Sequence, residues 1–175
     1  MEGSGEVQQA RTGVRVEIGG SGRVNVATGV AVLDHLVGLL ARRAGFDLTL
    51  EVAPGSADAE LAAAGRAVGE ALEAPLRAAG VRGYGSGIAP ADEALASVAL
   101  EVADRPLLVS NVDFSRERVA GLESDVVSRF LGELAAGACL TLHVRLLEGQ
   151  ERQHVLEAIF KALGTALGEA CRPVT

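Results

Sequence analysis

One pattern occurs twice in this chain, and it limits the available folds more than any other feature. Leu48-Thr49-Leu50-Glu51-Val52 matches Leu140-Thr141-Leu142-His143-Val144, and Gly69-Glu70-Ala71-Leu72 matches Gly164-Thr165-Ala166-Leu167. Around both pairs runs the same order of helix, strand, glycine turn and long helix, which marks an internal duplication. A half-buried strand and an amphipathic helix must cover each other, and two such units build one shared core. The expected fold is therefore an α/β layered, duplicated two-half sandwich of sheets and helices. Its halves span about residues 11–80 and 95–170 of a single domain, preceded by a flexible polar segment at residues 1–10.

Local periodicities fill in the elements. Val14, Val16 and Ile18 alternate, Gly19-Gly20-Ser21-Gly22 turns the chain, and Arg23–Ala27 returns, which reads as a β-hairpin. Val32, Leu33, Leu36, Val37, Leu39 and Leu40 recur at helical spacing, with Gly45 as the stop. Asp47–Val52 reads as a strand, and an alanine-rich helix follows from about Asp58 to Ala74. Gly80–Gly87 reads as a loop, and Ser97–Val102 and Pro106–Val112 as strands joined through Asp104-Arg105. Ser124 is expected to cap a helix that runs through Ala136 and ends at Gly137. Leu140–Leu147 is a strong strand, and the last helix covers about Gln150 to Ala170.

Composition narrows the function classes. Aromatic residues are only 3%, with no Trp and Tyr84 the single Tyr, so the core must be built from Val, Leu and Ala. Few rings are left to stack on bases or sugars. Sixteen basic against 23 acidic residues give a net charge of −7, which argues against nucleic acid and anionic membrane as partners. No apolar run is long enough to span a bilayer. The start, Met1-Glu2-Gly3-Ser4, is acidic and polar where a signal peptide is basic and then apolar. Cys139 and Cys171 make no disulfide framework. The expected location is the cytoplasm.

Three histidines, His35, His143 and His154, and one lysine, Lys161, can be placed individually. On the last helix, Leu156, Ile159, Phe160, Leu163 and Leu167 form one apolar stripe, while His154, Glu157 and Lys161 share another. An imidazole and a carboxylate one turn apart can share a divalent metal, with an ammonium nearby for an anion. By spacing alone the commoner reading of the same stripe is a solvated face with an ordinary Glu157–Lys161 pair at i,i+4. His143 sits on the strand face opposite Leu140, Leu142 and Val144, either as a ligand or as a histidine bonded to a carbonyl. His35 follows Asp34 in the first turn of its helix, where Asp34 suits the N-terminal end of the dipole. Residue chemistry alone reaches an α/β domain with a metal or anion site on the last helix, or none.

Several segments, in order, resemble the imidazoleglycerol-phosphate dehydratase family, the lyases of histidine biosynthesis. Thr28-Gly29-Val30-Ala31-Val32-Leu33-Asp34-His35-Leu36 is similar to the family's T-G-x-x-F-L-D-H-M, and Pro90-Ala91-Asp92-Glu93-Ala94-Leu95 to P-M-D-E-A-L. Ala103-Asp104-Arg105-Pro106 resembles S-G-R-P. Thr141-Leu142-His143 resembles T-L-H, and Gly149 to Ala162 resembles G-x-N-x-H-H-x-x-E-A-x-F-K-A. The resemblance covers about residues 5–170 and implies two duplicated halves, a phosphorylated imidazole substrate and two manganese ions held by histidines and glutamates. It implies metal ligation by His35, His143, His154 and Glu157, a catalytic role for Glu157, and substrate phosphate contacts from Arg105 and Lys161. It also implies self-association, because family metal sites are shared between subunits and the family's large shell is built from trimers.

The departures from the family pattern are as informative. The first-half H-H-x-x-E falls on Asp58, Ala59 and Ala62, and the first His of the second-half pair is Gln153. The family's catalytic Glu near the N-terminus aligns with Gln9, and its R-Y-G arginine with Gly83. The sequence stops at Thr175 before any S-T-K-G tail. Four ligand positions survive and four are replaced, so the resemblance implies weak or lost manganese binding and an impaired or non-catalytic dehydratase scaffold. Two alternatives remain: a divergent working dehydratase, and a binding or assembly module on the same scaffold. A trimer or other small oligomer is expected.

Overall fold

The computed structural model describes residues 11–112 and 127–175. These form β1 (Gly13–Glu17), β2 (Val24–Ala27), α1 (Ala31–Ala44), β3 (Asp47–Glu51) and α2 (Ala57–Leu76) in the first half. The second half comprises β4 (Tyr84–Ala91), β5 (Ala94–Val102), β6 (Leu107–Ser110), α3 (Gly132–Ala138), β7 (Leu140–Glu148) and α4 (Arg152–Ala170). A π-helical turn, Val127–Leu131, runs directly into α3. Among the described residues no helix is long and apolar enough to cross a membrane.

The strands form two sheets, ordered β1-β3-β2 and β4-β5-β7-β6. In the first, β3 pairs antiparallel with β1 and parallel with β2. In the second, β7 pairs antiparallel with β5 and parallel with β6. The β-β-α-β-α order and the pairing senses therefore occur twice, with β4 added at one edge. The two matched sequence segments lie on equivalent elements, β3 with β7 and α2 with α4. Helices α1 and α2 cover the first sheet and α3 and α4 the second, and the helix layers meet through α1–α4 and α2–α3. The result is a sheet–helix–helix–sheet sandwich with one continuous apolar core.

The scarcity of rings lets the helix layers approach closely. Gly69 on α2 lies against the backbone of Leu134, and Gly137 on α3 against Arg66 and Glu70. Gly164 and Gly168 on α4 meet the backbone of Leu40 and Ala44 on α1. A Cβ at any of these four positions would overlap main-chain atoms, so the glycines set the interlayer distance. Phe130, on the turn leading into α3, and Phe160 on α4 make a ring contact within the second helix layer, with centroids 5.2 Å apart.

Three sequence expectations are corrected. The expected hairpin between Arg11 and Ala27 does not form, because β3 lies between β1 and β2. The glycine turn instead folds over Asp47, whose Oδ1 accepts N–H bonds from Ser21 and Arg23, each 2.9 Å. Alternation marks a strand without naming its neighbour. Tyr84–Ala91, within the expected Gly80–Gly87 loop and beyond it, is strand β4. Gly85 and Gly87 face inward there, where a Cβ would strike the α4 backbone at Ala166 and Ala162. Glycine in this strand marks a close approach, and Pro90 is tolerated because β4 is an edge. Finally, α3 continues through Gly137 to Ala138 and stops at Cys139, which takes left-handed φ 54. The expected cap at Ser124 lies outside the described residues.

Candidate active site

The site is assembled on the N-terminal turns of α1 and α4. Ahead of α1, Thr28 is fully buried, and the Asp34 carboxylate accepts both its backbone N–H and its hydroxyl. Gly29, at φ 82, passes so close to the buried Glu60 carboxylate that a Cβ would sit 2.9 Å from its oxygens. This pinned corner sets where α1 begins and where His35 projects. The His35 Nε2 lies 3.0 Å from Oε1 of Glu157 on α4, joining residues from opposite halves of the duplication.

On α4, Glu151 is the N-cap, and its carboxylate accepts the backbone N–H groups of Gln153 and His154. Gln153 donates its side-chain amide to Glu157 Oε1 at 3.2 Å. Burial pushes the Glu157 carboxyl up, but the hydrogen bonds from Gln153 and His35, with the charges of His35 and Lys161, outweigh it. The group ends below its ordinary range. Lys161 Nζ is tied to the carbonyl of Pro90 at 3.2 Å, at the end of β4.

Beside this cluster lies a second one. His154 Nδ1 is 2.7 Å from Oε2 of Glu93 and 3.5 Å from Oε2 of Glu151. Oε1 of Glu93 accepts the backbone N–H groups of Glu151 at 2.8 Å and Gln150 at 3.3 Å. The Glu151 N–H bond, then the His154 bond, bring the Glu93 carboxyl down to about 2, against a smaller opposing effect of burial. The Glu93 bond in turn raises His154, again against burial, with further help from the charges of Glu93, Glu151 and Asp92. Donor atoms of Asp92, Glu93 and His154 all fall within 4.8 Å of one another. Within that group Glu93 Oε2 and His154 Nδ1 are already bonded to each other.

The equivalent turn of α2 is built differently. Ser56 caps it, accepting the N–H of Ala59. At the positions matching Gln153, His154 and Glu157 stand Asp58, Ala59 and Ala62. The two alanines offer no donor, and Asp58 is paired with Arg129 at 3.1 Å.

The expected site residues therefore separate into two groups. His35 bonds Glu157 on α4, with His154 one turn before it and Lys161 one turn after it, near the end of the second sheet where Leu95 pairs with Glu148. His143 projects from the exposed face of β7, while Leu142 and Val144 bury the opposite face under α4. It lines a separate hollow of about 210 Å³ with Ala99, Leu100, Glu101 and Thr141. Arg105 lies in the turn after β5, at the far end of the same strands. Eight residues of extended β5 put it about 25 Å from the cluster in the same chain. Gln9 lies outside the described residues. Glu93, Glu151 and Gln153 were not read as functional contributors from the sequence, although the Pro90–Leu95 segment carries Glu93 and the first turn of α4 carries the other two.

A duplicated sheet–helix sandwich with imidazole and carboxylate groups at a helix start defines a class of α/β scaffold. The comparisons are specific about which one. Residues 28–167 match the family model for imidazoleglycerol-phosphate dehydratase. An imidazoleglycerol-phosphate dehydratase of Acetivibrio thermocellus is 37% identical over 164 residues, covering 90% of this chain and 83% of that protein. That of Desulforudis audaxviator is 36% identical over 172 residues, covering 95% and 87% respectively. The crystal structure of the Staphylococcus aureus dehydratase superposes with a TM-score of 0.84 at 29% identity, over 95% of this chain and 96% of that one. The Pyrococcus furiosus structure gives 0.82 at 29% identity, over 94% and 91%. The chain belongs to the imidazoleglycerol-phosphate dehydratase family.

Proposed function

We propose that this protein is a dehydratase-family scaffold that turns over imidazoleglycerol phosphate poorly or not at all. One observation carries this reading: the α4 turn keeps Glu157 bonded to His35 and His154 bonded to Glu93, while the equivalent α2 turn presents Ala59 and Ala62. A two-ion manganese centre does not fit such a donor set. One divalent ion fits better, with His35 and Glu157 as donors and His154 one helical turn away. Bound there, the ion would supply Lewis-acid polarisation of a ligand. The chain's own contribution is a Glu157 carboxylate kept ionised, able to accept a proton, and a Lys161 ammonium placed one turn further for an anionic group.

Self-association belongs to the same proposal. His143 and Arg105 do not reach the α4 cluster of their own chain, so they can complete a site only across a subunit boundary. The outer face of the second sheet carries exposed Tyr84, Ile88, Leu107, Val109 and Leu147, an apolar set suited to covering by another copy. We take the oligomer to be a trimer or similarly small assembly in the cytoplasm that does not grow when manganese is added. Light scattering with and without Mn²⁺ checks the size, and a metal-induced shell contradicts it.

The convergence of His35 and Glu157 from opposite halves favours a second reading, a divergent dehydratase working with one metal. Turnover of imidazoleglycerol phosphate in excess Mn²⁺, beside an authentic dehydratase, separates the two. Our reading predicts a trace or no rate. An ordinary rate that disappears in Glu157→Ala overturns it in favour of the second.

A further inference from the structure

We propose that Glu93 is a positioning residue: it fixes His154 as the Nδ1–H tautomer and thereby makes Nε2 the atom with a free lone pair. The inference rests on reading His154 as a surviving ligand. It begins with the turn between β4 and β5, which has only two residues, Asp92 and Glu93. Asp92 takes φ 52, a conformation that non-glycine residues seldom adopt and that suits the first position of a tight hairpin turn. Such local strain persists where surrounding contacts over-determine it, often beside a functional group. Here it places the next side chain against the start of α4.

Three bonds then hold the Glu93 carboxylate. Oε1 takes the backbone N–H groups of Gln150 and Glu151, and Oε2 takes His154 Nδ1 at 2.7 Å. Oε1 facing two backbone N–H groups favours the ionised carboxylate, the ordinary form of glutamate at neutral pH. An ionised carboxylate only accepts, so the proton in the Glu93–His154 bond belongs to the imidazole. A neutral imidazole has one N–H, and with that proton on Nδ1 the lone pair must be on Nε2. Glu151 Oε2, 3.5 Å from the same Nδ1, reinforces the choice. A carboxylate behind a histidine in this way sets both ring orientation and ligand basicity, and its loss commonly lowers metal affinity 10–100-fold.

The test reads the tautomer without metal, so it can fail independently of the metal reading. Full-length ¹⁵N-labelled protein is stripped with chelator, and long-range imidazole ¹H–¹⁵N spectra are recorded where His154 is neutral. With three histidines in the chain, loss of signals in His154→Gln assigns them. The expected wild-type pattern is a protonated Nδ1 and a bare Nε2. Glu93→Ala should release the ring to the Nε2–H form, and Glu93→Gln, whose amide oxygen still accepts, should retain part of the wild-type pattern. Mn²⁺ titration followed by electron paramagnetic resonance should then show Kd rising at least about tenfold in Glu93→Ala. A wild-type Nε2–H tautomer, or a tautomer unchanged in folded Glu93→Ala, overturns the inference. If Glu93→Ala fails to fold, the wild-type and Glu93→Gln spectra decide it. A wild-type Nδ1–H tautomer without any Mn²⁺ binding overturns the metal reading instead and leaves the role of Glu93 standing.

Discussion

Helices α2 and α4 descend through the same pattern of glycines and alanines, yet their first turns have become chemically unlike. Both are capped by a side chain, Ser56 on α2 and Glu151 on α4. Both press glycines onto a neighbouring helix, Gly69 against α3 and Gly164 against α1. The α4 turn carries imidazole, amide and carboxylate groups bonded to His35 and Glu93. On α2 the same positions hold two methyl groups and an aspartate paired with Arg129. Packing constrains the inward face of a helix continuously, whereas an outward turn is held only by what it binds. Alanines at the α2 positions that match His154 and Glu157, beside interlayer glycines on both helices, separate the two constraints within one molecule.

If the halves are equal as scaffold, their interlayer glycines should respond alike. Gly69→Val and Gly164→Val each push a side chain into backbone and are expected to lower stability by about 1–3 kcal/mol in urea unfolding. Tolerance of one and collapse of the other would break the equivalence. If the halves are unequal as sites, Glu157→Ala should weaken Mn²⁺ binding at least about tenfold while Asp58→Ala leaves it unchanged, as read by calorimetric titration. Equal losses would place metal on both turns.

The smallest effect concerns pH in the metal-free protein. The carboxyl of Glu93 is lowered, so its contribution to stability is present above its ordinary 4.5 and fades as pH falls toward about 2. His154 is raised, so its contribution is complete below its ordinary 6.5 and fades as pH climbs through the higher folded value. Both contributions are whole between those two ordinary values. His154→Gln should flatten the alkaline decline in melting temperature and keep most of the acid one, since the Glu151 N–H is the leading influence on Glu93. Identical pH profiles for mutant and wild type would remove His154 from this account.

Much of the fold was legible because its signals are local. The Leu48–Val52 and Leu140–Val144 alternations and the helical stripes each report a buried face directly. Pairing is not local: nothing in Val14–Ala27 shows that β3 separates its two strands. Nor does Gly85 or Gly87 announce whether it loosens a loop or admits a helix backbone. The site divides in the same way. His154, Glu157 and Lys161 could be grouped on one helix by spacing, and the family resemblance drew in His35. Glu93 acts from a hairpin 61 residues away, and only the folded turn puts its carboxylate beneath His154. His143 and Arg105 shared the resemblance, yet strand register sends one to the opposite sheet face and the other to the far end.

The most direct test of the unequal halves is the number of manganese ions held tightly per chain after equilibration and removal of free metal. The account predicts one or fewer, with that one lost in Glu157→Ala. Two per chain would contradict it and would mean that the α2 turn, despite Ala59 and Ala62, still takes part in a complete centre.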